Sequence, residues 1–441
     1  MTYEDIDFLA NMERQFSVKK DDKYGKLVHF QNNRFTPYQR WFQYREGYSY
    51  KLVDKFIKKF NPNSLIFDPF VGSGSTLLAA RLNNLSSIGM DVNPLSTFIS
   101  LVENTKYTKE DMDCLNRVIK KIKVQKRDSK YRETNFNLAS RYFNSEILQS
   151  LLQFRDFYKS INNVHIKNLV KLAWLSIIES SSYMKKEGNG LKRKNRKRLK
   201  NRYVEIPIKE WDKEHFPEDK FEFIKGSLIQ KLNIMRKDII DYPISAASSK
   251  VINKSSIGDL SMIQDEIGLT IFSPPYVNFF DYFEIHKMEL WLGEFIQNRE
   301  DFRALKKKGM RSNGNAIDST KIHFKNKNVE HFSKLISTKK LWNKRIPDVI
   351  NSYFDDMYIL LKNIFLKTKQ NGKVVIVIGN SAYGGILVPA DLLVADIAQT
   401  IGFKVNDICI TRFLTTSSQQ KKKLMGAMNY MRESIVVLTK E

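Results

Sequence analysis

Apolar residues recur at helical spacing over positions 50–60, where Leu52, Val53, Phe56, Ile57 and Phe60 share one face. Ser49 stands where an N-cap belongs, and Asn61-Pro62-Asn63 ends the pattern. A short apolar run at 64–67 predicts a strand. It leads into the glycine-containing segment 68–76, and a helix carrying Leu77, Leu78, Ala79, Ala80 and Leu82 follows. A second apolar run at 87–90 ends at Asp91. Strand, glycine turn, helix, strand is a βαβ unit and predicts a parallel sheet. Residues 105–250 then read as helices and loops, with amphipathic stretches at 147–157 and 169–178. Strand patterns resume at 251–257 and 269–272, and a polar, basic stretch covers 295–345. The βα rhythm returns with strands at 373–378, 404–410 and 434–438 around a helix near 390–400. The pattern predicts an α/β protein built on one doubly wound, mostly parallel, seven-stranded sheet with a helical, basic insertion. Its expected divisions are 1–104, 105–250, 251–294, 295–345 and 346–441.

Composition narrows the function. The chain has 441 residues, 42% hydrophobic and 12% aromatic, which supplies a substantial core. No stretch approaches the ~20 apolar residues of a membrane span, and the first residues lack the basic start and apolar block of a signal peptide. Two cysteines, Cys114 and Cys409, make neither a disulfide framework nor a thiolate zinc site, so a reducing cytoplasm is expected. The six histidines show no metal-binding spacing, and no metal is expected. A net charge of +25 predicts attraction to polyanions, nucleic acid first among them, with plain solubility as the competing explanation.

Two segments carry candidate chemistry. Asp68-Pro69-Phe70-Val71-Gly72-Ser73-Gly74-Ser75-Thr76 places glycines between a strand and a helix N-terminus, where backbone approaches a ligand closely and free N–H groups face it. A Walker loop needs a lysine that is absent here, and a dinucleotide fingerprint needs a third glycine where Leu77 stands. A small nucleoside-bearing ligand remains, with Asp68 facing a cationic amino group. Asp91, near the ~20-residue spacing of an acidic ribose partner, would take hydroxyls. The alternative is a tight turn with no ligand. The second segment is Ser273-Pro274-Pro275-Tyr276, directly after an apolar strand. Its prolines donate no hydrogen bonds and hold nearby carbonyls rigidly, and Tyr276 offers a face for stacking. Alone, it also reads as a strand stop.

Together, Asp-Pro-Phe-x-Gly-Ser-Gly and Ser-Pro-Pro-Tyr resemble the DNA amino-methyltransferases that use S-adenosylmethionine to methylate an exocyclic base nitrogen. The likeness covers roughly 30–104, 251–293 and 340–441, and it implies a Rossmann-like methyltransferase sheet. The aromatic and arginine-rich segment 36–49, ending in Tyr48 and Ser49, is similar to the family's first cofactor motif. Asp259, after Gly258, resembles the acidic turn that meets the cofactor's adenine, and Gly379-Asn380-Ser381 is expected at the cofactor pocket's edge. The resemblance implies double-stranded DNA as substrate, a base flipped out of the helix, and a cognate restriction endonuclease or defence-system partner. It makes residues 105–250 the expected target-recognition region. Ser273 in place of aspartate implies cytosine N4, with adenine N6 as the alternative.

The aromatics of 277–283 are expected either in the base pocket or in the core, and His286 as a helix-surface or satisfied histidine rather than a catalyst. Lys192, Arg193, Lys194, Arg196, Lys197, Arg198, Lys200 and Arg202 form a run without an acid. Such a run is commonly a solvated face or mobile loop; beside DNA it is a phosphate-binding strap that positions without reading sequence. Lys421, Lys422 and Lys423 form a shorter cluster of the same kind. A rival of another class is a DNA-binding protein that kept the fold and lost the reaction.

Overall fold

The computed structural model describes the chain except residues 189, 200–201, 318–320, 416–421 and 425. Eight strands form the central sheet: β1 (Val18–Lys20), β2 (Leu65–Asp68), β3 (Ser87–Met90), β4 (Ser249–Ile252), β5 (Ile267–Phe272), β6 (Thr368–Gly379), β7 (Phe403–Phe413) and β8 (Arg432–Lys440). Their order is β1-β7-β8-β6-β5-β2-β3-β4, and β8 alone runs against the rest. Seven strands are those the hydrophobic pattern predicts. The eighth, β1, corrects the expected number. It pairs with β7 from Val18↔Ile408 to Lys20↔Ile410. Its sequence, Val-Lys-Lys, has little to bury, which suits an edge strand that lysines keep from pairing further.

The interior strands are apolar because both faces are covered. Along β6, Val374, Ile376 and Ile378 join a core with the helices Ile346–Lys367 and Ala390–Ile401, whereas Val375 and Val377 join one with the helix Tyr50–Phe60. Residues 105–250 form the expected helices, among them Lys109–Val124, Ser145–Lys159, Val164–Ile177 and Lys220–Asp241. Their core is continuous with Trp41, Leu78 and Leu95. Asp238, from the last of these helices, accepts hydrogen bonds from Trp41 Nε1 (2.8 Å) and Arg40 Nε (2.9 Å), tying the layer to the segment before Tyr48.

The basic run departs from the helix-and-loop reading. It folds into two hairpins, Met184–Glu187 with Gly190–Arg193 and Arg196–Leu199 with Arg202–Glu205. Alternation such as Tyr183, Lys185, Glu187 against Met184 and Lys186 is strand-like, and the density of charge hides it. Among the described residues no helix is long and apolar enough to cross a membrane.

Candidate active site

Strands β2 and β5 are parallel neighbours, with Phe67 opposite Thr270, so the turns after Asp68 and Phe272 leave the same edge of the sheet. Ligands of open α/β sheets bind at that edge. A cavity of about 360 Å³ lies there. Asp68, Phe70, Gly72, Ser73, Asp91, Tyr48, Ser273, Pro274, Pro275 and Tyr276 all line it.

The glycine turn is shaped by steric need. Gly72 and Gly74 have φ of 49° and 87°, a region unfavourable to residues with a Cβ, and a Cβ on Gly74 would fall 2.5 Å from Ser100 Oγ. Gly74 caps the helix Ser75–Leu82. Asp68 accepts the Phe70 N–H through Oδ1 (3.0 Å) and the Tyr48 hydroxyl through Oδ2 (3.0 Å), and that hydroxyl also lies 2.6 Å from Thr76 Oγ1. Asp91 accepts N–H groups of Gly72 (3.2 Å) and Asn93 (2.8 Å). Burial outweighs these bonds: it pushes Asp68 up to about 7 and Asp91 up to about 6. Among the described residues neither carboxylate forms an ion pair. The cavity's Arg45, Lys186 and Arg412 face Glu179, Glu289 and Glu433 instead. A buried and a half-buried carboxylate without a counter-cation suit a cationic ligand bearing hydroxyls, and the donor set fits S-adenosylmethionine.

The proline turn carries Tyr276 against the end of the sheet. Its hydroxyl donates to Glu433 Oε1 (2.8 Å), and Glu433 Oε2 accepts Arg412 Nε (2.5 Å). The Tyr276 N–H donates to the Tyr282 hydroxyl (3.3 Å), and Ser273 Oγ lies 3.5 Å from the Tyr276 hydroxyl. Burial, reinforced by Glu433, holds the phenol well above its ordinary value, so it stays neutral. The ring backs onto Gly379, where a Cβ would come within 2.7 Å of it. Gly379 thus makes room for Tyr276, while Asn380 bonds Asp391; neither lines the cavity as expected. Of the aromatics in 277–283, Phe280, Tyr282 and Phe283 line the cavity, and Phe279 packs against the core.

Other predicted residues lie elsewhere. Asp259 occupies an exposed turn, accepting the Ser261 N–H (2.8 Å), and is not in the cavity wall. Ser49 caps its helix. The Pro69 carbonyl accepts Ser256 Oγ (2.8 Å), and Thr76 reaches the site through Tyr48 and through its own hydrogen bond to Asp68. Arg193, Lys197 and Arg198 belong to the hairpins, with Lys197 and Arg198 exposed. Lys192 pairs with Glu187 (3.1 Å) and Arg196 with Glu205 (2.5 Å). Lys194 turns inward and donates to the carbonyls of Glu179 (2.7 Å), Ser180 (3.2 Å) and Ser182 (2.8 Å). Burial lowers it to about 8, so it holds the hairpin together instead of facing outward. Lys422 and Lys423 are exposed, and Lys200 and Lys421 lie outside the described residues.

Tyr44 and Glu46, within the 36–49 segment but not singled out there, also line the cavity, as do Lys186, Arg412 and Glu433, which sequence reasoning missed. Lys186 Nζ lies 3.0 Å from His286 Nδ1 and donates to Glu289 (2.7 Å), and His286 Nε2 lies 3.3 Å from Glu46. His286 is buried, and both of its ring nitrogens have a polar partner. The available signal for Glu433 was Arg432-Glu433, two charges opening a strand whose centre, Ile435–Leu438, is apolar.

A family model described as DNA methylase matches residues 5–97. The type II methyltransferase M.BsoBI of Geobacillus stearothermophilus is 27% identical across 94% of this chain and 88% of its own length. The type II methyltransferase M.AvaI of Nostoc sp. is 28% identical across 91% and 86%. The type II methyltransferase M.MjaII of Methanocaldococcus jannaschii is 31% identical over a shorter region, 23% of this chain.

Proposed function

Because this chain belongs to the N6/N4 DNA methylase family, we propose that it methylates the N4 amino group of a cytosine flipped out of double-stranded DNA, with S-adenosylmethionine as donor. The observation that carries this reading is the shared cavity, where the turn from Asp68 to Ser73 and the Ser273–Tyr276 turn line one space at one sheet edge. The bound cofactor supplies an electrophilic methyl on a sulfonium. Asp68 and Asp91 hold its amino group and ribose hydroxyls, and Gly72 lets the backbone pass close to it. An exocyclic amine is a poor nucleophile because its lone pair is delocalised into the ring. The Ser273 hydroxyl and the Pro274 carbonyl accept its two N–H bonds, favouring a pyramidal nitrogen and stabilising the charge that grows there. No strong base is required before attack. Tyr276 stacks on the extruded base, since the nitrogen cannot be reached inside a duplex. Stacking at about 1–3 kcal/mol offsets only part of the unstacking cost, and Phe280 and Tyr282 supply further contact.

Serine at 273 favours cytosine. The type II names of the relatives add a restriction-modification setting, in which a cognate endonuclease is the partner and the cytoplasm the location. The test is transfer of tritiated methyl to duplex DNA, followed by mass spectrometry of the released nucleosides. N4-methylcytosine is expected. N6-methyladenine would replace the base assignment. Background label from both wild type and Tyr276→Ala, with DNA binding preserved, would leave the non-catalytic rival standing.

A further inference from the structure

Beyond the cavity rim stands an aromatic pair that catalysis does not use, Phe279 resting against the core and Trp342 outside it. Trp342 is 71% exposed. Its ring meets Phe279 edge to face, with centroids 5.0 Å apart, and Phe279 in turn meets Tyr383 at 5.9 Å. Tyr383 donates its hydroxyl to the Val277 carbonyl (2.5 Å), next to Tyr276. A column of rings therefore runs from solvent to the turn that holds the target base. Phe279 has a φ of 60°, an uncommon and strained conformation for a bulky residue. Gly314 lies against the Phe279 ring, and its neighbour Asn313 lines the cavity. Within three residues of Trp342 in the chain, Lys339, Lys340, Lys344 and Arg345 are exposed, and residues 338–347 contain no acid. Arg345 also braces the site by donating to the Gly314 carbonyl (2.9 Å).

An exposed flat ring among four cations matches a polyanion that offers apolar flat faces, which is the chemistry of stacked nucleobases. We infer that Trp342, buttressed by Phe279, is a stacking wedge that enters the duplex beside the target and covers the bases left unstacked when it swings out. This deepens the DNA-methyltransferase reading and rests on it. Side chains that unstack a base step act in this way in other DNA-bending proteins.

Of the five tryptophans, Trp41, Trp174, Trp211 and Trp291 are buried, so acrylamide quenching of the intrinsic fluorescence reports mainly on Trp342. The probe is a duplex carrying the site located by methylation mapping. It should shield Trp342, lowering the quenching constant by about half, and the effect should vanish in Trp342→Phe. Trp342→Ala should raise the DNA KM about tenfold, the scale of one lost stack, whereas Trp342→Phe should stay within about threefold because a flat ring is retained. Cofactor affinity should not change in either variant. Protein that methylates the duplex while Trp342 stays as accessible as in the free state overturns the wedge and leaves the methyltransferase reading intact. Shielding that grows with protein concentration without DNA assigns the ring to a second copy of the chain and also overturns it. Absence of both DNA binding and methylation removes the wedge together with the reading it rests on.

Discussion

Asp68 and Asp91 are the residues whose environment departs most usefully from their ordinary behaviour. Asp68 is held at about 7 in the fold against 3.8 in an open chain, so the native state keeps a proton that the unfolded state has lost. Stability contributed by the neutral carboxyl is present below about pH 4 and is lost as pH rises to about 7. Asp68→Asn should therefore match wild type near pH 4 and melt about 2–4 °C higher at pH 8, measured by differential scanning calorimetry. The same substitution should abolish cofactor binding in a calorimetric titration while salt-sensitive DNA binding persists. Wild-type cofactor affinity should rise from pH 5.5 to pH 8 as the carboxylates ionise, and a flat profile would remove them from the cationic end of the ligand. Tyr276→Ala should cost methyl transfer at least about 100-fold, and Glu433→Gln, which leaves a weaker partner for the phenol, about tenfold. Asp68, Gly72 and Ser273–Tyr276 were legible because their chemistry is local: a strand end, a required turn, consecutive prolines. Glu433 and Lys186 were not, since each acquires meaning from residues that lie more than 90 positions away in the chain.

Among the elements, the paired hairpins of the basic run divide one stretch of charge into two jobs. Lys197 and Arg198 project outward, whereas Lys194 closes three carbonyls. Replacing Lys192, Arg193, Lys197 and Arg198 by glutamine should flatten the dependence of DNA affinity on salt, each lost phosphate contact reducing the slope by roughly 0.9. Filter binding across a salt series checks it, and an unchanged slope would remove these hairpins from the interface. Lys194→Ala should instead leave the slope alone and cost about 1–3 kcal/mol in urea denaturation, because buried carbonyls lose their donor. The core helices and seven strands were readable from apolar periodicity. The hairpins were obscured because strand alternation between lysine and arginine carries no hydrophobic contrast, and β1 because three residues are too few to show a period.

At the scale of the whole molecule, the sheet joins strands that are far apart in the chain. Ser87 pairs with Ser249 and Val18 with Ile408. The glycine turn sits in the first hundred residues, but β2 has no neighbour on its inner side until β5 exists at Ile267–Phe272, and β8 must slot between β6 and β7 near the end. Contacts of such separation make assembly slow. A ribosome-bound nascent chain stalled anywhere before residue 267 should therefore display unpaired strand edges and bind no donor nucleoside. The finished enzyme arises only once nearly all of the polypeptide has emerged, and in the meantime those edges are sticky surfaces that a chaperone has reason to cover.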